Sequence, residues 1–235
     1  MKPRVAYILP NLFTVMSIFI GIVSITKASQ EKFTLAAWLI FLALLFDGLD
    51  GRVARATGTT SRFGAELDSL ADIVSFGVAP ALLLYFFAGD EYGKFGLLVS
   101  ALFVIFGALR LARFNSTLQM GDPNVFVGLP IPMAAVSVSV GVLFVQSYQL
   151  SHDYSFLLLV TSLAFAILMV SHIRYPAFKT ISLNEKFFYR YLVILSIVAS
   201  LVFLFRVEGL AILILSYICF GPIRAIYHLT AKKFH

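Results

Sequence analysis

Residues 47–72 read DGLDGRVARATGTTSRFGAELDSLAD and lie between two apolar runs, FTLAAWLIFLALLF before them and IVSFGVAPALLLYFFA after them. With the polar end attached to it, each run makes one helix of about 20 residues, the length that crosses a bilayer. The polar elbow between them, residues 57–63, is short, so the two helices are antiparallel neighbours. Asp47, Asp50, Asp68 and Asp72 then meet at one end of the pair. A carboxylate at bilayer depth costs at least about 2.5 kcal/mol, and four together call for a compensating charge.

The helical repeat sharpens this. Asp47 and Asp50 share one arc of the second helix with Gly51, Ala54 and Arg55. On the third helix Asp68 and Asp72 are one turn apart, on a face shared with Gly64 and Ser75, while Glu66 points away. Arg55 is the one cation on these faces and cannot neutralise four carboxylates, which disfavours a purely structural ion-pair network. Every candidate ligand is an oxygen, with no His or Cys nearby, so the cluster favours Mg²⁺, Mn²⁺ or Ca²⁺ over zinc or copper. Four acids suit two cations about 3.5 to 4 Å apart, the arrangement that holds both oxygens of a phosphoryl displacement. Gly51 and Gly64 would let a ligand approach the backbone, and Arg55 would lie beside a phosphate.

The rest of the chain supplies the setting. Of its 235 residues 60% are apolar and 13% charged, more apolar surface than a soluble domain of this length could hide. Eight helices are expected, at about 6–26, 33–56, 64–87, 93–114, 131–149, 155–173, 187–205 and 208–229. They make an all-α polytopic integral membrane protein, a single domain over residues 1–235. Of the 18 Lys and Arg, all but Lys27, Lys32, Lys94 and Arg206 fall on the side that carries both termini. The positive-inside rule therefore puts the termini and the acidic elbow in the cytoplasm. Basic residues facing an anionic inner leaflet account for the net charge of +6 with no nucleic-acid partner. The segment after Lys2 and Arg4 is longer than a signal core and is expected to be retained. Cys219 stands alone, makes no intrachain disulfide and reads as a small buried side chain. Residues 115–132 and 174–186, rich in Pro or charge, are expected as cytoplasmic loops.

The pattern D-x-x-D-G-x-x-A-R, then eight residues, then G-x-x-x-D-x-x-x-D occurs here as Asp47, Asp50, Gly51, Ala54, Arg55, Gly64, Asp68 and Asp72. It resembles the signature of the CDP-alcohol phosphatidyltransferases. The resemblance implies an enzyme of the cell membrane, its active site facing the cytoplasm, that transfers a phosphatidyl group from a CDP-linked lipid of diacylglycerol or archaeol type to an alcohol and releases CMP. Carried over by position, Asp47, Asp50, Asp68 and Asp72 would hold two ions, Mg²⁺ or Mn²⁺, and Asp72 would be the general base. Gly51, Arg55, Ser61 and Gly64 would contact the CDP-lipid. Asn11, in the polar opening Pro10-Asn11-Leu12-Phe13-Thr14 of the first helix, would be a further nucleotide contact. A homodimer embedded among membrane lipids is implied as well.

Two further stretches, RLARFN at 110–115 and FVGLPIP at 126–132, resemble the branch of that family whose acceptor is L-serine. Arg110 and Arg113 would receive the serine carboxylate, and Asn115 its ammonium or hydroxyl. The same arginines also suit snorkelling to the lipid interface. A phosphate-bearing acceptor, glycerol 3-phosphate or inositol phosphate, would use the same cations, so both acceptor classes stay open. The reading of another class is a divalent-cation transporter with the acids along its path. Against it, the acids cluster toward one side, and no matching polar sites continue to the external face.

Overall fold

The computed structural model of the chain describes residues 8–117, 125–150, 152–176 and 207–224. Its helices are α1 (Ile8–Ser29), α2 (Phe33–Thr57), α3 (Arg62–Tyr92), α4 (Lys94–Thr117), α5 (Ile131–Ser147), α6 (His152–Val170) and α7 (Val207–Arg224). All but α5 are long and apolar enough to cross a membrane; α5, with 17 residues, is shorter. The all-α polytopic architecture is the expected one. The helix expected at 187–205 lies outside the described residues.

The elbow between α2 and α3 is tighter than the sequence suggests, residues 58–61 only. Gly58 adopts the left-handed conformation (φ 61°, ψ 37°) that a residue with a Cβ enters at a cost. Its N–H donates to the Arg55 carbonyl at 3.2 Å, and the Thr59 N–H donates to the Ala54 carbonyl at 2.9 Å. This double closure satisfies carbonyls that the end of α2 would leave open. Ser61 is extended, and its Oγ accepts from the Gly64 N–H at 3.0 Å, capping the start of α3. Two caps back to back bring the acidic ends of both helices together.

Helices in lipid gain little from burying apolar surface against each other, so close approach and hydroxyl bonds carry the packing. Ser17 donates to the Ala43 carbonyl at 3.2 Å, Ser24 to the Ala36 carbonyl at 2.8 Å, and Ser75 to the Ser17 carbonyl at 2.9 Å. These three bonds lace α1 to α2 and α3. At Gly21 a Cβ would stand 3.1 Å from the Ser75 Cα, so α1 and α3 are nearly in backbone contact there.

Just after Asp72, α3 widens into a π turn, Ile73–Val78, in which the Ala79 N–H donates to the Val74 carbonyl. In a regular helix Pro80 would supply no N–H, and its ring would strike the carbonyl one turn back; the wider turn accommodates both. It also sets Ser75 and Phe76 fully inside the bundle. Where two helices with a loop between them are expected, α3 runs on to Tyr92 and only Gly93 (φ 51°) separates it from α4. The two ends close over Gly89 and Gly96, where an added Cβ at Gly96 would overlap the Gly89 backbone.

The loop expectation at 115–132 and 174–186 is also refined. Strands β1 (Val125–Val127) and β2 (Arg174–Pro176) pair antiparallel, with Phe126 opposite Tyr175. The pairing continues through the Gly128 N–H to the Ile173 carbonyl at 2.8 Å and the Leu129 N–H to the Leu168 carbonyl at 3.0 Å, so main-chain groups enclosed by the bundle have partners. Cys219, expected to be buried, is exposed. The face of α7 turned inward is that of Ile214, Ile218 and Gly221, and Cys219 lies off it.

Candidate active site

Asp47 and Asp50 come from the last turns of α2, Asp68 and Asp72 from the first turns of α3. One carboxylate oxygen each from Asp47, Asp50 and Asp68 lies within 4.8 Å of the others. Asp72 stands outside that triplet but within hydrogen-bond reach of Asp47. The four acids thus form a triplet and a pair that share Asp47. Asp50 is 6% exposed and accepts the Thr14 hydroxyl at 2.6 Å. Asp47 Oδ1 is buried with no hydrogen-bond donor among the described residues. An orphaned carboxylate oxygen among further carboxylates is costly in a desolvated place. An oxygen-coordinated divalent cation would satisfy it, and this donor set fits one.

A cavity of about 150 Å³ opens beside the triplet. Asp50 and Asp68 line it, and so do all five residues that the family resemblance implies as CDP-lipid contacts: Asn11, Gly51, Arg55, Ser61 and Gly64. Both glycines leave room in it. A Cβ at Gly64 would come within 3.2 Å of Ser61 Oγ and 3.3 Å of Asn11 Oδ1, and one at Gly51 within 3.3 Å of an Arg55 guanidinium nitrogen. The N-terminus of α3 at Ser61 and the exposed side chain of Arg55 make the cavity wall electropositive, while Asp50 and Asp68 make its floor acidic. Such a wall and floor can take a phosphate group together with cations.

Sequence reasoning passed over Thr14, Thr59 and Thr60, which also line this cavity. Thr14 had a signal, its position one turn after Asn11 in the polar opening of α1. The two elbow threonines had none, because only the turn made by Gly58 aims them.

The two arginines of α4 part company. Arg110 is 5% exposed, and its guanidinium lies 5.3 Å from the ring centre of Phe114 and 5.7 Å from that of Phe126. It interacts electrostatically with Asp72, and its Nε has no hydrogen-bond partner among the described residues. Arg113 donates from Nη1 to the Val170 carbonyl at 3.0 Å, and from Nη2 to those of Val127 at 2.9 Å, Met169 at 3.1 Å and Ser171 at 3.2 Å. It caps the C-terminus of α6, where a cation complements the helix dipole, and ties β1 to it. Asn115 donates to Ser69 Oγ at 2.9 Å, which joins α4 to α3 one residue from Asp68.

Comparison with known proteins agrees with this geometry. The family model of CDP-alcohol phosphatidyltransferase matches residues 7–173. The CDP-diacylglycerol–serine O-phosphatidyltransferase of Helicobacter pylori strain J99 is 50% identical over 222 residues, which cover 94% of this chain and 92% of that protein. The archaetidylserine synthase of Methanothermobacter thermautotrophicus is 43% identical over 171 residues, 72% of this chain and 69% of that one. Among solved structures, phosphatidylinositol phosphate synthase of Mycobacterium tuberculosis with CDP-DAG bound has the same fold, with a TM-score of 0.52 and 21% identity over 70% of this chain and 91% of that chain.

Proposed function

This chain belongs to the CDP-alcohol phosphatidyltransferase family, and from that membership we propose that it transfers a phosphatidyl group from a CDP-linked lipid to the hydroxyl of L-serine and releases CMP. The observation that carries the donor half is the single cavity that collects Asn11, Gly51, Arg55, Ser61 and Gly64 beside Asp50 and Asp68. Serine is the acceptor for which the 50% identical relative is named. The protein is proposed to act as one domain in the cell membrane, as a homodimer, with this cavity open to the cytoplasm.

Two Mg²⁺ or Mn²⁺ ions, held by Asp47, Asp50, Asp68 and Asp72, would neutralise charge on the diphosphate as its bond is exchanged. Gly51 and Gly64 let the diphosphate lie against the backbone, Arg55 donates to its oxygens, and Ser61 and Asn11 hold the nucleotide side. Asp72 takes the proton of the serine hydroxyl as that oxygen bonds to the lipid-side phosphorus. The bond from this phosphorus to the CMP oxygen breaks, and CMP leaves with the electron pair. Arg110 receives the serine carboxylate.

The two arginines also favour serine over a phosphate-bearing acceptor. Arg113 directs its N–H groups at four backbone carbonyls, so Arg110 is the guanidinium beside Asp72 among the described residues. One positive charge matches one carboxylate. A phosphate dianion would bring an excess negative charge next to Asp72 in a place poor in water.

The test is to incubate the purified protein with CDP-diacylglycerol, Mg²⁺ and one acceptor at a time, and to follow CMP. Serine is expected to raise release at least tenfold above glycerol 3-phosphate or inositol phosphate. Release with a phosphate acceptor alone would overturn the serine assignment, and cation flux into liposomes without any CDP-lipid would support the transporter instead. A second expectation concerns the cavity. Gly64→Ala presses a methyl group against Ser61 and Asn11 and should raise the KM for CDP-lipid about tenfold while leaving the KM for serine unchanged.

A further inference from the structure

A side chain beyond the region matched by the family model, residues 7–173, approaches the acceptor half of the site. Helix α7 docks on β2 through Tyr175, which is fully buried. The Tyr175 hydroxyl is directed at the Ile218 carbonyl at 3.5 Å, and Gly221 lies flat against its ring, where a Cβ would overlap ring carbons. One turn before Gly221, the ring of Tyr217 packs on that of Tyr175 with centres 5.7 Å apart and planes at 30°. Tyr175 is in turn the cross-strand partner of Phe126, and the Phe126 ring flanks the Arg110 guanidinium. This chain of contacts brings half-buried Tyr217 within electrostatic reach of Arg110.

A buried guanidinium with an unmatched Nε calls for an anion. Serine offers a carboxylate whose two oxygens carry about four lone-pair sites, of which one edge of the guanidinium takes two. A phenol supplies a further donor without adding charge. It therefore strengthens binding of a monoanion and does nothing to offset the second charge of a phosphate.

We infer that Tyr217 is a specificity-determining residue of the acceptor pocket, its hydroxyl donating to the serine carboxylate that Arg110 holds. The inference rests on the serine reading above and extends the pocket to α7.

Tyr217→Phe removes the hydroxyl and keeps the ring against Tyr175, so the helix stays docked. It is expected to raise the KM for serine about tenfold, with the KM for CDP-lipid within twofold of wild type and kcat changed less than the serine KM. Tyr175→Phe is the control: it deletes a hydroxyl aimed at the Ile218 carbonyl and should leave both KM values within twofold. An unchanged serine KM in Tyr217→Phe, a rise in both KM values, or an equal rise of the serine KM in Tyr175→Phe would each overturn the inference. Wild-type protein that releases CMP without dependence on serine would overturn the serine reading itself and the inference with it. Serine-dependent wild type with an unaffected Tyr217→Phe variant would overturn the inference alone.

Discussion

Asp72→Asn is expected to lower CMP release about 10³-fold, the middle of the range that a positioned general base contributes. The amide has the shape of the carboxylate and can still accept a hydrogen bond, so α3 should form as before. What it lacks is the ability to take a proton at neutral pH. Asp72 stands at the junction of the two halves, within reach of Asp47 on one side and interacting with Arg110 on the other. A hydroxyl held by Arg110 through its carboxylate would therefore meet Asp72 as the first basic oxygen. The assay is single-turnover CMP release beside CDP-lipid binding and a detergent melting curve. Melting close to wild type, with release falling far more than CDP-lipid binding, which weakens as one metal ligand loses its charge, is the expected pattern; full release would end the assignment of Asp72 as base.

Chelation of divalent cations is expected to abolish turnover, and Mg²⁺ or Mn²⁺ to restore it. The same experiment has a stability readout with a definite sign. A ligand at 100 times its Kd stabilises the folded state by about 2.7 kcal/mol, which for a chain of this size raises Tm by about 5 to 10 °C. Asp47→Asn should show the two effects separately. It removes a buried carboxylate whose Oδ1 has no donor among the described residues, so without metal the variant should melt at or above wild type. It also removes the acid shared by the triplet and the pair, so the rise on adding Mg²⁺ should shrink to about a degree and activity should fall at least 10²-fold. A variant that loses stability without metal and keeps the full Mg²⁺ shift would show that Asp47 is a structural carboxylate.

The acidic elbow was legible because its information is local. Asp47, Asp50, Gly51 and Arg55 share a helix face by periodicity alone, as do Gly64, Asp68 and Asp72, and a short polar break between apolar runs forces the two faces together. The carboxylates of Asp47, Asp50 and Asp68 do converge. Thr14 was less legible, since its bond to Asp50 spans 36 residues of chain and depends on how α1 leans on α2. The extended α3 was read short, because the π turns that accommodate Pro80 and lead to Gly89 leave no trace in hydropathy. The β1 and β2 ribbon was invisible for a related reason. Its strands are three residues each and are stabilised by pairing across some 50 residues of chain, with no alternation long enough to read.

Sequence alone therefore marked the long apolar helices, the acidic face and the residues that line the cavity beside it, since spacing within a helix and hydropathy along it are properties of neighbouring residues. Tertiary structure alone separated the two arginines of α4. Arg110 and Arg113 sit one turn apart on α4 with the same chemistry, yet one is buried between Phe114 and Phe126 beside Asp72 while the other caps α6. What separates them is where the C-terminus of α6, strand β1 and α7 come to rest. An arginine's role follows from the partner its guanidinium meets, and those partners are distant in the chain.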